Sequence, residues 1–269
     1  MIIDFHTHIF PEKIAERAVA KLAAVVDLKP AFNGCAEELR LCMKKAGVDR
    51  SIVLPVVTDV KQFDSIFKFA CFINETYGEA TEQPLLSIGG IHPDDPAMKE
   101  HLTLLKNEGF RAVKIHPHYQ GVNFNDIRIK NLLYTASELD LPVLTHAGFD
   151  PYTPEQDFCS PDMIVEVVNE VAPKNLILAH LGSNENYDEA EEKLCGLDVY
   201  LDTAYSILRV APEQFLRMVR KHGADKILFA TDCPWAHQDA CVQFLKDSAL
   251  TEQEKNLIFS ENAIRLLKL

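Results

Sequence analysis

Eight short apolar runs rich in β-branched residues recur along the chain, at 2–8, 51–57, 85–91, 112–116, 142–148, 175–181, 199–205 and 226–232. Amphipathic stretches with helical spacing separate them, at 35–46, 64–76, 96–107, 129–139, 161–171, 187–194 and 212–222, and a last one covers 252–267. A strand followed by a helix, repeated around the chain, is the pattern of a parallel sheet closed into an α/β, (β/α)8 TIM barrel. Near-continuous apolar strands such as Ser-Ile-Val-Leu-Pro-Val suit a sheet covered on both faces. A doubly wound open sheet is the alternative. It usually places a glycine-rich phosphate loop after its first strand, and Phe5-His6-Thr7-His8-Ile9 is nothing of the kind. The 269 residues show no composition break, so one barrel domain over 1–269 is expected. The connection between the first two strands is the longest and has room for an extra helix or a lid.

Charge and cysteines narrow the function classes. A net charge of −13 disfavours a nucleic-acid binder, which carries a basic footprint. The seven cysteines (Cys35, Cys42, Cys71, Cys159, Cys195, Cys233 and Cys241) form no CxxC pair, so reduced thiols in a cytoplasmic protein are expected. No apolar run is long enough to span a bilayer, and Met1 leads straight into a strand pattern rather than a signal peptide.

The ten histidines carry the chemistry. Only His101 and His222 fall in helical patterns; the other eight lie at or just past the carboxyl ends of the expected strands, or in the loop after the last one. In an α/β barrel that rim is where active-site side chains gather. His6 and His8 stand two apart on a strand, so period-2 alternation turns both imidazoles to one face. By the same alternation Asp4 is expected to orient a ligand imidazole from behind. His146 ends the fifth strand and His180 the sixth, each followed two residues on by a glycine. Asp232 ends the eighth; a helix cap is its alternative role. Three imidazoles and a carboxylate suit zinc first, with manganese, iron or cobalt as alternatives. Such a cation acidifies water and polarises a carbonyl.

The set HxH, strand-end His, strand-end His and strand-end Asp resembles the amidohydrolase superfamily. Ile-Asp-Phe-His-Thr-His-Ile-Phe-Pro, Leu-Ile-Leu-Ala-His-Leu-Gly, Val-Tyr-Leu-Asp-Thr-Ala-Tyr and Ile-Leu-Phe-Ala-Thr-Asp-Cys-Pro-Trp are similar to its amidohydrolase 2 branch, which holds aminocarboxymuconate-semialdehyde decarboxylase, related decarboxylases and dicarboxylate lactonases. The resemblance implies one divalent ion on His6, His8, His146 and Asp232, with His180 and Asp232 as the catalytic groups. It is also compatible with a homodimer. At the fourth strand, Ala-Val-Lys-Ile-His-Pro-His, Lys114 and His116 are expected to bind a small carboxylated substrate, with a bridging, carboxylated Lys114 as the lesser alternative. For His116 and His118 the alternative is to pin the loop by hydrogen bonds. Trp235 either walls the pocket or packs. Arg111 and Lys61 are further candidate partners for an acidic substrate, with surface solvation the default expectation for Lys61. His92, in Gly-Gly-Ile-His-Pro, resembles an element of TatD-type deoxyribonucleases, whose fourth-strand glutamate is missing here.

The reaction expected from these motifs is hydrolysis of an ester, lactone or amide by a metal-activated water. The alternative is non-oxidative decarboxylation on the same ligands. A TatD-like nuclease and a non-catalytic metal-binding barrel are the minor readings.

Overall fold

A computed structural model describes residues 1–26 and 28–269. Its strands are β1 (Ile3–Thr7), β2 (Arg50–Val53), β3 (Leu85–Ser87), β4 (Gly89–Gly90), β5 (Val113–Ile115), β6 (Val143–Thr145), β7 (Leu176–Leu178), β8 (Tyr200–Asp202) and β9 (Ile227–Leu228). All neighbouring pairs run parallel. β3 and β4 are one barrel strand interrupted at Ile88, whose N–H reaches back to Val53 O (3.1 Å) while Gly89 N–H donates forward to Ala112 O (2.9 Å). First and last strands meet through Phe5 N–H to Phe229 O (2.8 Å), Asp232 N–H to His6 O (2.9 Å) and His8 N–H to Cys233 O (2.8 Å). The ring of eight parallel strands is therefore the expected TIM barrel.

Alternation along each strand sorts the core into two layers. Ile3, Phe5, Ile52, Leu54, Ala112, Leu144, Ile177, Ala179, Leu228 and Ala230 pack together inside the barrel, with Ala263, Leu266 and Leu267 of the last helix against them. Residues of opposite parity, such as Val53, Val113, Ile115, Val143, Leu176, Leu178, Ile227 and Phe229, face the surrounding helices. Burying both faces removes the strands from water, and helices such as Pro161–Val171 cover the outer one. That helix starts where Ser160 accepts from Met163 N–H and Pro161 presets the first turn.

Three helices add to the expected alternation. Ala15–Val26 fills part of the long first connection, so that segment holds an extra helix. Pro117–Gln120 is a single turn after β5. Gln238–Asp247 follows the last strand, an unexpected helix whose buried Gln238, Cys241, Val242 and Leu245 have helical spacing. The closing helix is also broken into Glu252–Asn256, a π-turn at Leu257–Glu261 and Asn262–Leu267. All seven cysteines are free. Among the described residues, no helix is long and apolar enough to cross a membrane.

Candidate metal centre and active site

His6, His8 and Asp232 converge where the barrel seam opens at its carboxyl end. His6 Nε2 and His8 Nε2 stand 3.2 Å apart. Asp232 Oδ1 lies 3.2 Å from His8 Nε2 and 3.7 Å from His6 Nε2. With metal–ligand bonds near 2.1 Å, the edge of a tetrahedral site is about 3.4 Å. All three separations fall close to that edge.

The outer ring nitrogens decide what the inner ones can do. His6 Nδ1 meets Asp202 Oδ2 at 2.8 Å, His8 Nδ1 meets Leu54 O at 3.0 Å, and His180 Nδ1 meets Ala204 O at 3.0 Å. His146 Nε2 faces Phe149 O at 3.3 Å. Carbonyl and carboxylate oxygens only accept, so each of these outer nitrogens donates its proton. In the neutral rings the inner nitrogens are then bare lone pairs. They face each other in two couples: His6 Nε2 with His8 Nε2 at 3.2 Å, and His146 Nδ1 with His180 Nε2 at 3.0 Å. Facing lone pairs repel unless something positive lies between them. His6 and His8, their protons held outward beside an ionised Asp232, fit a divalent cation, while His146 and His180 form the neighbouring couple and His146 does not join that close cluster.

Burial keeps the set in that state. It pushes His6, His146 and His116 well below the ordinary imidazole range, and lowers His180 too. Burial alone would raise Asp232; its contact with His8 and the fields of His6 and His180 instead hold it well below the usual carboxylate range. Asp202 is pushed up to about 6 by burial, so it remains mostly ionised at neutral pH.

Lys114 projects into the barrel from β5 and is 1% exposed. Burial pushes its ammonium down to about 8, opposed by the charges of Asp202 and Asp232. Among the described residues no carboxylate lies within ion-pairing distance of Nζ, so the cation stands free beside the histidines. His116 is sandwiched between Tyr119 (ring centroids 3.9 Å apart) and His146 (4.5 Å), which fixes its ring plane. The Nδ1 of His118 meets Thr153 Oγ1 at 2.6 Å and ties the loop after β6 to the loop after β5. That contact is one that pins a loop. Trp235 is half-buried in the turn that Asp232 starts, where its N–H donates to Asp232 O (2.7 Å).

Several expectations need correction. Asp4 does not touch an imidazole: it accepts from Thr231 N–H, Thr231 Oγ1 and Gln238 Nε2. The register of β1 against β2 shifts between Asp4 and Thr7, which breaks the strict alternation that would have aligned Asp4 with His6. The carboxylate behind His6 is Asp202. It ends a strand in Val-Tyr-Leu-Asp, a signal present in the sequence but not used. Arg111 precedes β5 and so lies at the other end of the barrel, where Nη1 donates to Leu267 O (2.8 Å). Lys61, by contrast, sits exposed in a short turn, in keeping with its default of surface solvation. His92 Nδ1 accepts from Asp94 N–H within its own loop (3.0 Å). Asp150, buried beside His116 and His146, was also missed; it stands four residues past a strand-end histidine, in a loop with no periodic signal.

A family model described as amidohydrolase matches residues 3–269. None of the curated proteins matches the sequence significantly. Among solved structures, the chain resembles 5-carboxyvanillate decarboxylase from Novosphingobium aromaticivorans, complexed with manganese and 4-hydroxy-3-methoxy-5-nitrobenzoic acid. The TM-score is 0.76 at 14% identity, covering 100% of this chain and 96% of that one. It is also similar to 2,6-dihydroxybenzoate decarboxylase from Rhizobium (TM-score 0.70, 16% identity, 99% and 98% covered). A dihydroxybenzoic acid decarboxylase from Polaromonas, with manganese and 2-nitroresorcinol bound, scores 0.72 at 15% identity, with 100% and 97% covered. At such identities these likenesses establish the shared barrel fold. With its HxH strand, its two strand-end histidines and its strand-end aspartate in order along a barrel that the family model spans almost whole, this chain belongs to the amidohydrolase family.

Proposed function

We propose that this protein is a metal-dependent non-oxidative decarboxylase of a small carboxylated substrate, in place of the hydrolase first expected from the motifs. The observation that carries the metal centre is the convergence of the bare His6 Nε2 and His8 Nε2 on Asp232, their ring protons held outward by Asp202 and Leu54 O. His6, His8, His146 and Asp232 would hold the ion. Zinc and manganese are the candidates, manganese because structurally similar decarboxylases bind it.

When bound, the cation supplies Lewis acidity toward the substrate's carboxylate. Lys114 is the group in this chain best placed to bind that carboxylate, because it is cationic, buried and free of any internal ion pair. Burial in low dielectric strengthens such a contact and excludes competing water. His180, its Nδ1 tied to Ala204 O and its unprotonated Nε2 turned to His146 Nδ1, can hold or pass a proton at Nε2. Trp235 and His116 complete the candidate substrate walls. The choice of decarboxylation over hydrolysis is supported by what the similar structures act on, carboxylated phenols.

The test loads the protein with manganese or zinc and offers it hydroxylated benzoates alongside lactones and esters. Carbon dioxide release from a benzoate, with no water added elsewhere, is the expected result. Turnover of a lactone with no decarboxylation would overturn the proposal in favour of hydrolysis. His6→Gln and Asp232→Asn should each remove both metal and activity while leaving the barrel folded.

A further inference from the structure

We infer that Asp150 is a positioning residue that holds the proton of His146 on Nε2 and so keeps Nδ1 open toward the metal centre; this rests on the metal-site reading above. Asp150 follows β6 by five residues and is 5% exposed. Its Oδ1 accepts from Tyr152 N–H at 2.8 Å, which fixes the carboxylate within its turn. The other oxygen, Oδ2, points at two stacked imidazoles at once: it lies 3.7 Å from His116 Nε2 and 3.8 Å from His146 Nε2. The two rings are 4.5 Å apart and 17° from parallel, so their Nε2 edges face the same oxygen.

These three residues could be read as a second metal triad. The ring chemistry argues otherwise. His116 Nδ1 accepts from Tyr119 N–H (3.4 Å), so the neutral ring carries its proton on Nε2, where a metal would have to bind. His146 Nε2 faces the Phe149 carbonyl, which also demands a proton there. A negative oxygen near both Nε2 atoms favours that same arrangement in both rings. Without it, only the Phe149 carbonyl, at 3.3 Å, still holds the His146 proton on Nε2, and a competing arrangement lies close by. The proton can move to Nδ1 and donate to His180 Nε2, 3.0 Å away, forming a neutral hydrogen bond that closes the site to a cation.

The test uses two variants of the full chain. Asp150→Asn is isosteric, but its one oxygen is needed by Tyr152 N–H, which turns the amide NH2 toward the imidazoles. Asp150→Ser keeps an acceptor for the turn and removes Oδ2. Titration with Mn2+ or Zn2+ against a competing chelator should show both variants binding roughly 10–100-fold more weakly, the usual cost of losing a partner behind a ligand histidine. In metal-free protein, 15N spectra of the ring nitrogens should show the His146 proton on Nε2 in the wild type and on Nδ1 in the variants, with His146→Gln assigning the signals. Wild-type affinity in a folded variant, or a wild-type proton already on Nδ1, would overturn the inference. If the wild type binds no divalent ion, the metal-site reading fails separately, and the ring-proton measurement still decides the role of Asp150.

Discussion

Replacing Gly148 with alanine tests how the loop carrying Phe149 and Asp150 is seated. Gly148 has φ +78, and a Cβ there would come within 2.2 Å of Asn184 N and 2.6 Å of both Ser183 C and Ser183 Oγ. Two of those atoms are backbone held by the Gly148–Asn184 bridge, so they cannot swing aside. Gly121 is the natural control: its φ is +64, yet nothing lies within 4 Å of its added Cβ. Left-handed backbone costs an alanine about 1–2 kcal/mol. The alanine's stiffer unfolded chain returns about 0.4–1 kcal/mol. Gly121→Ala should therefore lose no more than about 1.5 kcal/mol. Gly148→Ala carries the same terms plus overpacking of about 1–3 kcal/mol, for a total of about 1–5 kcal/mol. Urea unfolding followed by circular dichroism gives both values, provided the slope m stays constant between variants. Metal affinity should fall with Gly148→Ala as well, because Phe149 O sits one residue on. Equal losses at the two glycines would refute the reasoning, since only the close approach to Ser183 and Asn184 separates them.

Three further expectations follow from the site. Asp202→Asn should weaken metal binding by about 10–100-fold, or about 1.4–2.7 kcal/mol, since Oδ1 must still serve His180 and Ala204 N–H and the amide NH2 would face His6 Nδ1; unchanged affinity in a chelator titration would contradict the role of Asp202. Metal binding requires neutral imidazoles, and burial lowers His6 and His146, so at these two ligands protons compete only below the ordinary range. Loss of affinity on acidification should therefore extend beneath pH 6.5, and a loss already complete at 6.5 would count against that. Lys114→Met should raise KM for a carboxylated substrate by about 10–100-fold, the scale of one hydrogen bond to a charged group, with kcat less affected; initial-rate kinetics on the identified substrate separate the two.

The barrel was legible because its signal is repeated: each apolar run predicts only a strand, but their alternation with helical stretches admits few architectures. His6, His8, His180 and Asp232 were legible for a related reason, since each ends an apolar run and strand ends in this fold share one rim. What stayed hidden depended on contacts between distant segments. Asp202 and Asp4 are both strand carboxylates, and only a register shift within β1 decides which of them stands behind His6. Asp150 lies in a loop, where sequence spacing says nothing about direction. Likewise, Arg111 has the charge to bind an acid, but sits before its strand rather than after it, and so faces the wrong end of the barrel.

The seam between Phe5–His8 and Phe229–Cys233 bears on how the molecule is made. His6 and His8 lie on its early side and Asp232 on its late side, so the site joins the two parts of the barrel that leave the ribosome furthest apart in time. Until the last strand emerges, β1 has a single partner and presents an open edge, the kind of surface on which unfinished chains associate. The same pairing that covers this edge also brings Asp232 to the histidines. On the metal-centre reading proposed above, acquisition of a cation would be coupled to completion of the ring, and a nascent chain stopped short of Asp232 would lack both the closure and the centre.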